Sequence, residues 1–327
     1  MEADRPAKRQ RLDEDNAPPA KRSDIWFDDG NIILQAENLQ FRVHRSLLAR
    51  HSPVFKDIFG IPQPANTSEV LIEGCPVVHL TDKASHVQFM LTKLFNLAAP
   101  ENPWKAPTVF DLIASLRMGH KCLITHLWND AVTSLRRAFP TDEAKMLATL
   151  TVYAKVISRN DDATAIRLTS RRGLLPLVDV VAEVGLQTIL PGLYYRIIYT
   201  DTLDTIIGST DISDRARCVL LGGRAKLLNI TTECLKPWGS KTNPHNNNSP
   251  NSINCGYARH RFYLTNIDGQ YPLGSWVHTT PEGLICTNIC GMEYGQLLAT
   301  MKKRAWDQLP AAFGLPAWKD LKDFEIA

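Results

Sequence analysis

Phe41-Arg-Val-His-Arg-Ser-Leu-Leu-Ala-Arg-His-Ser-Pro-Val-Phe55 changes its apolar period halfway along. Leu39, Phe41 and Val43 alternate with Gln40 and Arg42, the period of two expected of a half-buried strand. From His44 to His51 the spacing turns helical, with Leu47, Leu48 and Ala49 on it. Ser52-Pro53 then predicts a second helix. Serine is a good N-cap, and proline at the first helical position lacks only an N–H that would have no partner there. That helix carries Val54, Phe55, Ile58 and Phe59.

Upstream, Ile25-Trp26-Phe27 is a short apolar run, Asp28-Asp29-Gly30-Asn31 a turn cluster, and Ile32-Ile33-Leu34 a strand. With Leu39–Val43 these predict an antiparallel meander. Downstream, residues 60–74 are loop-like, with Pro62 and Pro64, and Val77-Val78-His79-Leu80 reads as a buried strand. Val87, Met90, Leu91, Leu94 and Phe95 share one helical face. After a proline-rich break at 100–107, Pro107 is expected to open a helix facing inward through Val109, Leu112, Ile113 and Leu116. A further helix groups Ile124, Leu127, Trp128, Ala131, Leu135 and Ala138.

This order of elements, with the F-x-V-H-R-x-x-L-A-x-x-S-x-x-F pattern of 41–55, resembles a BTB/POZ domain over about residues 24–139. Asp24, Phe41, His44, Arg45, Leu48, Ser52 and Phe55 stand at the family's motif positions. Asp24–Ile32 (DIWFDDGNI), Glu73–Val78 (EGCPVV) and Leu116–Cys122 (LRMGHKC) resemble more narrowly a large fungal group, in which a helical region follows the domain. Trp306-Asp-Gln-Leu-Pro, Phe313-Gly-Leu-Pro and Trp318 extend that likeness toward the C-terminus.

The resemblance implies an α+β fold, with a short mixed sheet and a helical cluster, followed by a mainly α-helical C-terminal region. It implies protein partners, a homodimer among them, and in many relatives a cullin-type ubiquitin ligase. It also implies that Asp24 and Arg45 lie together near the dimer surface, each offsetting the cost of burying the other. His44 is expected to be a core histidine hydrogen-bonded to backbone. The apolar-x-Glu motif of cullin adaptors is missing from Gly60-Ile-Pro-Gln-Pro-Ala, and the polar tail offers no extra swapping element. No C2H2 finger, kelch repeat or MATH-like domain accompanies the motif.

Residues 1–23 have no aliphatic periodicity and are expected to stay disordered, since nothing offsets an ordering cost of about 1–2 kcal/mol per residue. Lys8-Arg9-Gln10-Arg11 resembles a one-part nuclear localisation signal. Lys8-Arg9 with Lys21-Arg22, eleven residues apart, resembles the two-part form. Lys8, Arg9, Arg11, Lys21 and Arg22 are therefore the candidate contacts of a nuclear import receptor. The expected location is the nucleus, with some cytoplasmic pool. Asp13, Glu14 and Asp15 would repel phosphate and argue against a chromatin-binding arm.

Residues 140–239 read as helical. Thr141-Asp-Glu is a helix start with acids in the first turn. Pro191-Gly192 is expected to break the apolar stretch Leu175–Tyr199, and Gly222-Gly223 to interrupt a helix over Asp211–Asn229. Residues 240–254, with six asparagines, are expected to be a flexible loop before an aromatic-rich region, 255–327. Cys286 and Cys290 are four apart, and Cys234 and Cys255 flank the loop. Together, or with His260 or His278 substituting, they would complete a zinc tetrahedron; the alternative is buried thiols. His120 and His126, six apart around Cys122, fall on different helix faces.

The chain has 37 basic and 34 acidic residues over 327 positions. The tail through Arg22 takes +1 of the formal +3, so the body carries only +2 and is no phosphate-binding stripe. No direct nucleic-acid contact is expected. No apolar run approaches the roughly 20 residues of a membrane span, and no secretory signal opens the chain. Seven cysteines then read as thiols or metal ligands in a reducing compartment, and the sequons at Asn66, Asn229 and Asn247 meet no glycosylating enzyme. No G-x-S-x-G, Walker-type, H-E-x-x-H or G-x-G-x-x-G spacing is present. No catalytic residue and no cofactor are assigned. The expected function is non-enzymatic protein binding by a scaffold. The alternatives are a ubiquitin-ligase substrate adaptor and a transcriptional or chromatin regulator.

Overall fold

The computed structural model describes residues 20–61, 71–97, 106–157, 173–241, 250–266, 272–273 and 289–326. Packing divides the chain into two units, Met1–Pro100 with Lys121–Ile124, and Glu101–His120 with Thr125–Ala327.

The first unit runs β1 (Lys21–Trp26), β2 (Ile32–Ala36), β3 (Leu39–Val43), α1 (Arg45–His51), α2 (Pro53–Gly60), β4 (Val77–Leu80) and α3 (Ala84–Leu94). The sheet order is β1-β3-β2-β4. β2 and β3 form an antiparallel hairpin through Glu37-Asn38, while β1–β3 and β2–β4 are parallel. The sheet is mixed, and the expected meander does not form. The cause is the connection after β1. Phe27 N–H donates to Arg42 O at 3.0 Å and Asn31 N–H to Val43 O at 3.0 Å. The chain thus stays hydrogen-bonded to β3 past the end of β1 and then enters β2 on the far side of that strand.

Ile32, Ile33 and Leu34 are all buried, as expected of a strand covered on both faces. Phe41, Val43, Leu48, Phe55, Val87, Met90 and Leu91 complete this core. β4 is half-buried to exposed rather than buried, because it is a sheet edge. The first strand begins before the expected boundary at Asp24, since Lys21 and Arg22 belong to β1.

The second unit contains α4 (Val109–Cys122), α5 (Thr125–Ala138), α6 (Glu143–Ile157), α7 (Leu177–Glu183), α8 (Leu190–Thr200), α9 (Leu203–Gly208), α10 (Asp214–Gly239), α11 (Pro250–Asn266), α12 (Ile289–Ala312) and a 3-10 turn at Trp318–Asp320. α4 starts at Val109, not at Pro107, because Thr108 caps it. Asp111 N–H donates to Thr108 Oγ1 at 3.1 Å, and the Asp111 carboxylate accepts from Thr108 N–H at 2.8 Å, a reciprocal capping box. Leu112, Leu116, Trp128, Val132 and Leu135 lie in one apolar cluster with α7, α8, α10 and α12. The packing thus groups two helices of the 24–139 stretch with the C-terminal helices.

Three expected interruptions fall elsewhere. Pro191 sits in the first turn of α8, where a missing N–H is harmless. The break precedes it, at Val184–Ile189, where Gly185 takes φ +74°. α10 continues through Gly222-Gly223. Gly223 faces Phe313 so closely that a Cβ would lie 2.2 Å from the ring. The glycine there serves packing and is not a break. α11 begins at Pro250, inside the expected 240–254 loop, of which 242–249 lie outside the described residues.

Candidate protein-interaction surface

The motif of 41–55 builds a helical hairpin on the sheet. Phe41 and Leu48 are fully buried, and Phe55 is 1% exposed. Ser52 is buried and does two jobs. Its Oγ accepts from Phe55 N–H at 3.1 Å, capping α2, and donates to Cys122 O at 2.6 Å. Cys122 itself is buried, and its thiol is pushed up to about 12, chiefly by burial and then by the Asp82 carboxylate. It is an inert thiol.

His44 is only half-buried. Among the described residues its ring does not bond to backbone as expected. Its Nε2 faces Asp29 Oδ1 at 3.4 Å, and its ring stands 5.2 Å from that of Phe27. Arg45 does not pair with Asp24 among the described residues. The Arg45 guanidinium donates to Phe59 O at the end of α2 and lies 5.0 Å over the Phe59 ring. The last carbonyls of a helix carry partial negative charge, so they offer this cation a nearer partner than the exposed Asp24 of β1. Arg45 thus ties α1 to α2, and its backbone N–H is held by Asn31 Oδ1 at 2.8 Å.

Several large apolar side chains of the first unit are exposed. Ile58 is 37% exposed and Ile61 65% exposed, one turn apart at the end of α2, and Leu71 is 57% exposed. The sheet's two edges are β1 and β4. At the β1 edge stands Glu73, whose ion pairs its motif does not foretell. Glu73 binds the guanidinium of Arg22 and accepts from Arg42 Nη1 at 3.1 Å. Glu73-Gly74 turns the chain between Ile72 and Cys75 with φ 51° and 76°. The Glu-Gly pair at 73–74 was the available signal, as a two-residue turn.

The candidate import residues Lys8, Arg9 and Arg11 lie outside the described residues. Lys21 and Arg22 are exposed in β1. Of the candidate zinc ligands, Cys234 is half-buried, Cys255 buried and His260 exposed. Cys286, His278 and the Cys290 side chain lie outside the described residues. Among the described residues no group of three His, Cys, Asp or Glu side chains is placed to hold a metal. No helix among them is long and apolar enough to cross a membrane.

Residues 28–93 match the family model of the BTB/POZ domain. No curated protein matches the chain. The matched span begins after β1 and closes at the end of α3, covering the hairpin, the motif helices and β4. This chain therefore carries a BTB/POZ domain, a protein–protein interaction module, built on a four-stranded mixed sheet and followed by a mostly helical C-terminal region.

Proposed function

We propose that the protein is a nuclear, self-associating scaffold that binds other proteins through its BTB/POZ domain and performs no chemistry of its own. The observation that carries this reading is the domain match over 28–93, together with the exposed apolar side chains of Ile58 in α2 and Ile61 just after it. Exposed apolar side chains that sit together mark docking surfaces more often than chance. The likeness of 24–32, 73–78 and 116–122 to the large fungal group supports the same reading, with the C-terminal helices as a partner-binding region. Nuclear location rests on the basic pairs of the tail.

Light scattering on the purified full chain tests self-association, and twice the chain mass is expected. A mass of one chain at every concentration refutes it. A fluorescent reporter fused to residues 1–23 tests location. Nuclear accumulation is expected, and even distribution refutes the signal. Affinity capture with mass spectrometry then separates the alternatives. A cullin among the partners would favour a ligase adaptor, although Gly60–Ala65 has no glutamate. Corepressors or histones would favour a transcriptional or chromatin regulator. Residues 24–327 are expected to show no salt-sensitive DNA binding.

A further inference from the structure

Lys21 and Arg22 have two incompatible tasks. As the second half of a two-part import signal they must lie extended in a receptor groove that takes both side chains into acidic, aromatic-lined pockets. In the folded chain they open β1. Lys21 N–H donates to Asn38 O at 2.7 Å, and Lys21 and Arg22 stand opposite Leu39 and Gln40 in parallel register. A neighbouring strand lies only about 4.8 Å away, so one whole edge of this backbone is closed to any groove. The Arg22 guanidinium is also engaged. Glu73 binds it, and its Cζ lies 4.6 Å over the Trp26 ring. The faces that a receptor's carboxylates and aromatic rings would use are met by the protein's own carboxylate and its own ring.

We propose that the folded chain withholds Lys21-Arg22 from its import receptor, so that Lys8-Arg9-Gln10-Arg11 alone is read. This rests on the reading of the tail as an import signal. It makes the two-part form a property of the unfolded or nascent chain, and the one-part form that of the finished protein. The exposed Arg22–Glu73 pair contributes little by itself. The exclusion comes from the strand pairing, which must open before the receptor can surround the segment.

The test uses a purified import receptor of the class that reads basic signals, with two ligands, the full chain and residues 1–23 fused to a reporter. The fusion has neither β3 nor Glu73. In the fusion, Lys21→Ala with Arg22→Ala is expected to weaken binding about tenfold, the worth of one good charge-assisted contact. In the full chain the same pair is expected to change affinity less than about twofold, while Lys8→Ala, Arg9→Ala and Arg11→Ala together lower it by about tenfold or more. An equal loss from Lys21→Ala/Arg22→Ala in both ligands overturns the proposal and leaves the import signal standing. A fusion that does not bind the receptor at all overturns the import reading itself, and the proposal with it.

Discussion

Adding one methyl group at adjacent positions of α10 should have opposite effects. Gly222 and Gly223 both lie in mid-helix, where alanine is better than glycine by about 0.8–1.0 kcal/mol. A Cβ at Gly222 meets nothing within 4 Å, so Gly222→Ala should realise that gain in full. A Cβ at Gly223 would sit 2.2 Å from both Cδ1 and Cε1 of Phe313. Carbon atoms in contact stand about 3.5–4.0 Å apart, so one side must retreat by more than an ångström. Phe313 has little room to do so, being 4% exposed with its ring 5.0 Å from that of Tyr194. Overpacking of this kind costs about 1–3 kcal/mol, which cancels or exceeds the propensity gain. Because that gain is common to both variants, their difference is the clash alone. For a helical unit of this size about 1 kcal/mol shifts the melting temperature by about 2–4 °C, so the variants should melt about 2–12 °C apart. Gly222→Ala should lie above wild type and Gly223→Ala below Gly222→Ala. Combining Gly223→Ala with Phe313→Leu should cost less than the two changes summed. Equal melting temperatures for the two alanine variants would refute the reasoning.

Three further outcomes follow from buried polar groups. Asp323 is 5% exposed and accepts from Thr188 N–H at 2.9 Å, Thr188 Oγ1 at 2.7 Å and Arg136 Nη2 at 3.0 Å. Asp323→Ala should cost about 3 kcal/mol in urea denaturation. Arg136→Ala, whose side chain is 52% exposed, should cost under about 1 kcal/mol; comparable losses would contradict this. Ser52→Ala removes a cap and the buried hydroxyl that donates to the Cys122 carbonyl, and about 2–3 kcal/mol should be lost, with Ser52→Thr recovering part of it. The Cys122 thiol, pushed up to about 12, should make the fold alkali-sensitive. Its pKa is raised on folding, so the stabilisation is complete below the free-thiol pKa of about 8.5 and is lost as pH rises through the folded value; the deficit is about 2 kcal/mol at pH 10. Urea midpoints between pH 8 and pH 10 should fall more steeply in wild type than in Cys122→Ala, and parallel slopes would sink the idea.

The hairpin of α1 and α2 was legible because its determinants are local. The period change at His44 and the Ser52-Pro53 cap lie within fifteen residues, and the cap bond to Phe55 N–H is the one that spacing requires. β1 was not legible at its start. An edge strand needs no apolar alternation, and Lys21-Arg22-Ser23-Asp24 has the composition of a solvated tail. Its partner is β3, a pairing set by the long-range path of 27–31, which no local pattern carries. Pro191 and Gly223 misled for a related reason. Each is a breaker by propensity, yet the first occupies a helix start and the second makes room for a ring 90 residues away in sequence. The Asp24–Arg45 pair implied by family likeness failed because Arg45 has a closer acceptor in Phe59 O. Glu73 and Asp323 draw their importance from partners 51 and 135 residues distant, so no local pattern marks those pairings, although Glu73 opens the Glu73–Val78 motif.

The shared apolar cluster of α4, α5 and the later helices bears on how this chain can be divided or recombined. Leu112, Leu116, Trp128, Val132 and Leu135 share one apolar cluster with side chains from Leu174 to Phe313. Cleavage after Phe139 would leave those five side chains facing water, an adhesive stripe on the shortened product. Grafting of this N-terminal region onto another protein should therefore succeed only when the graft carries the C-terminal helices along, because one that ends before Val109 also loses Lys121–Ile124 and the Cys122 carbonyl that Ser52 holds, and a truncating lesion within α4 or α5 should yield aggregates instead of a smaller working module.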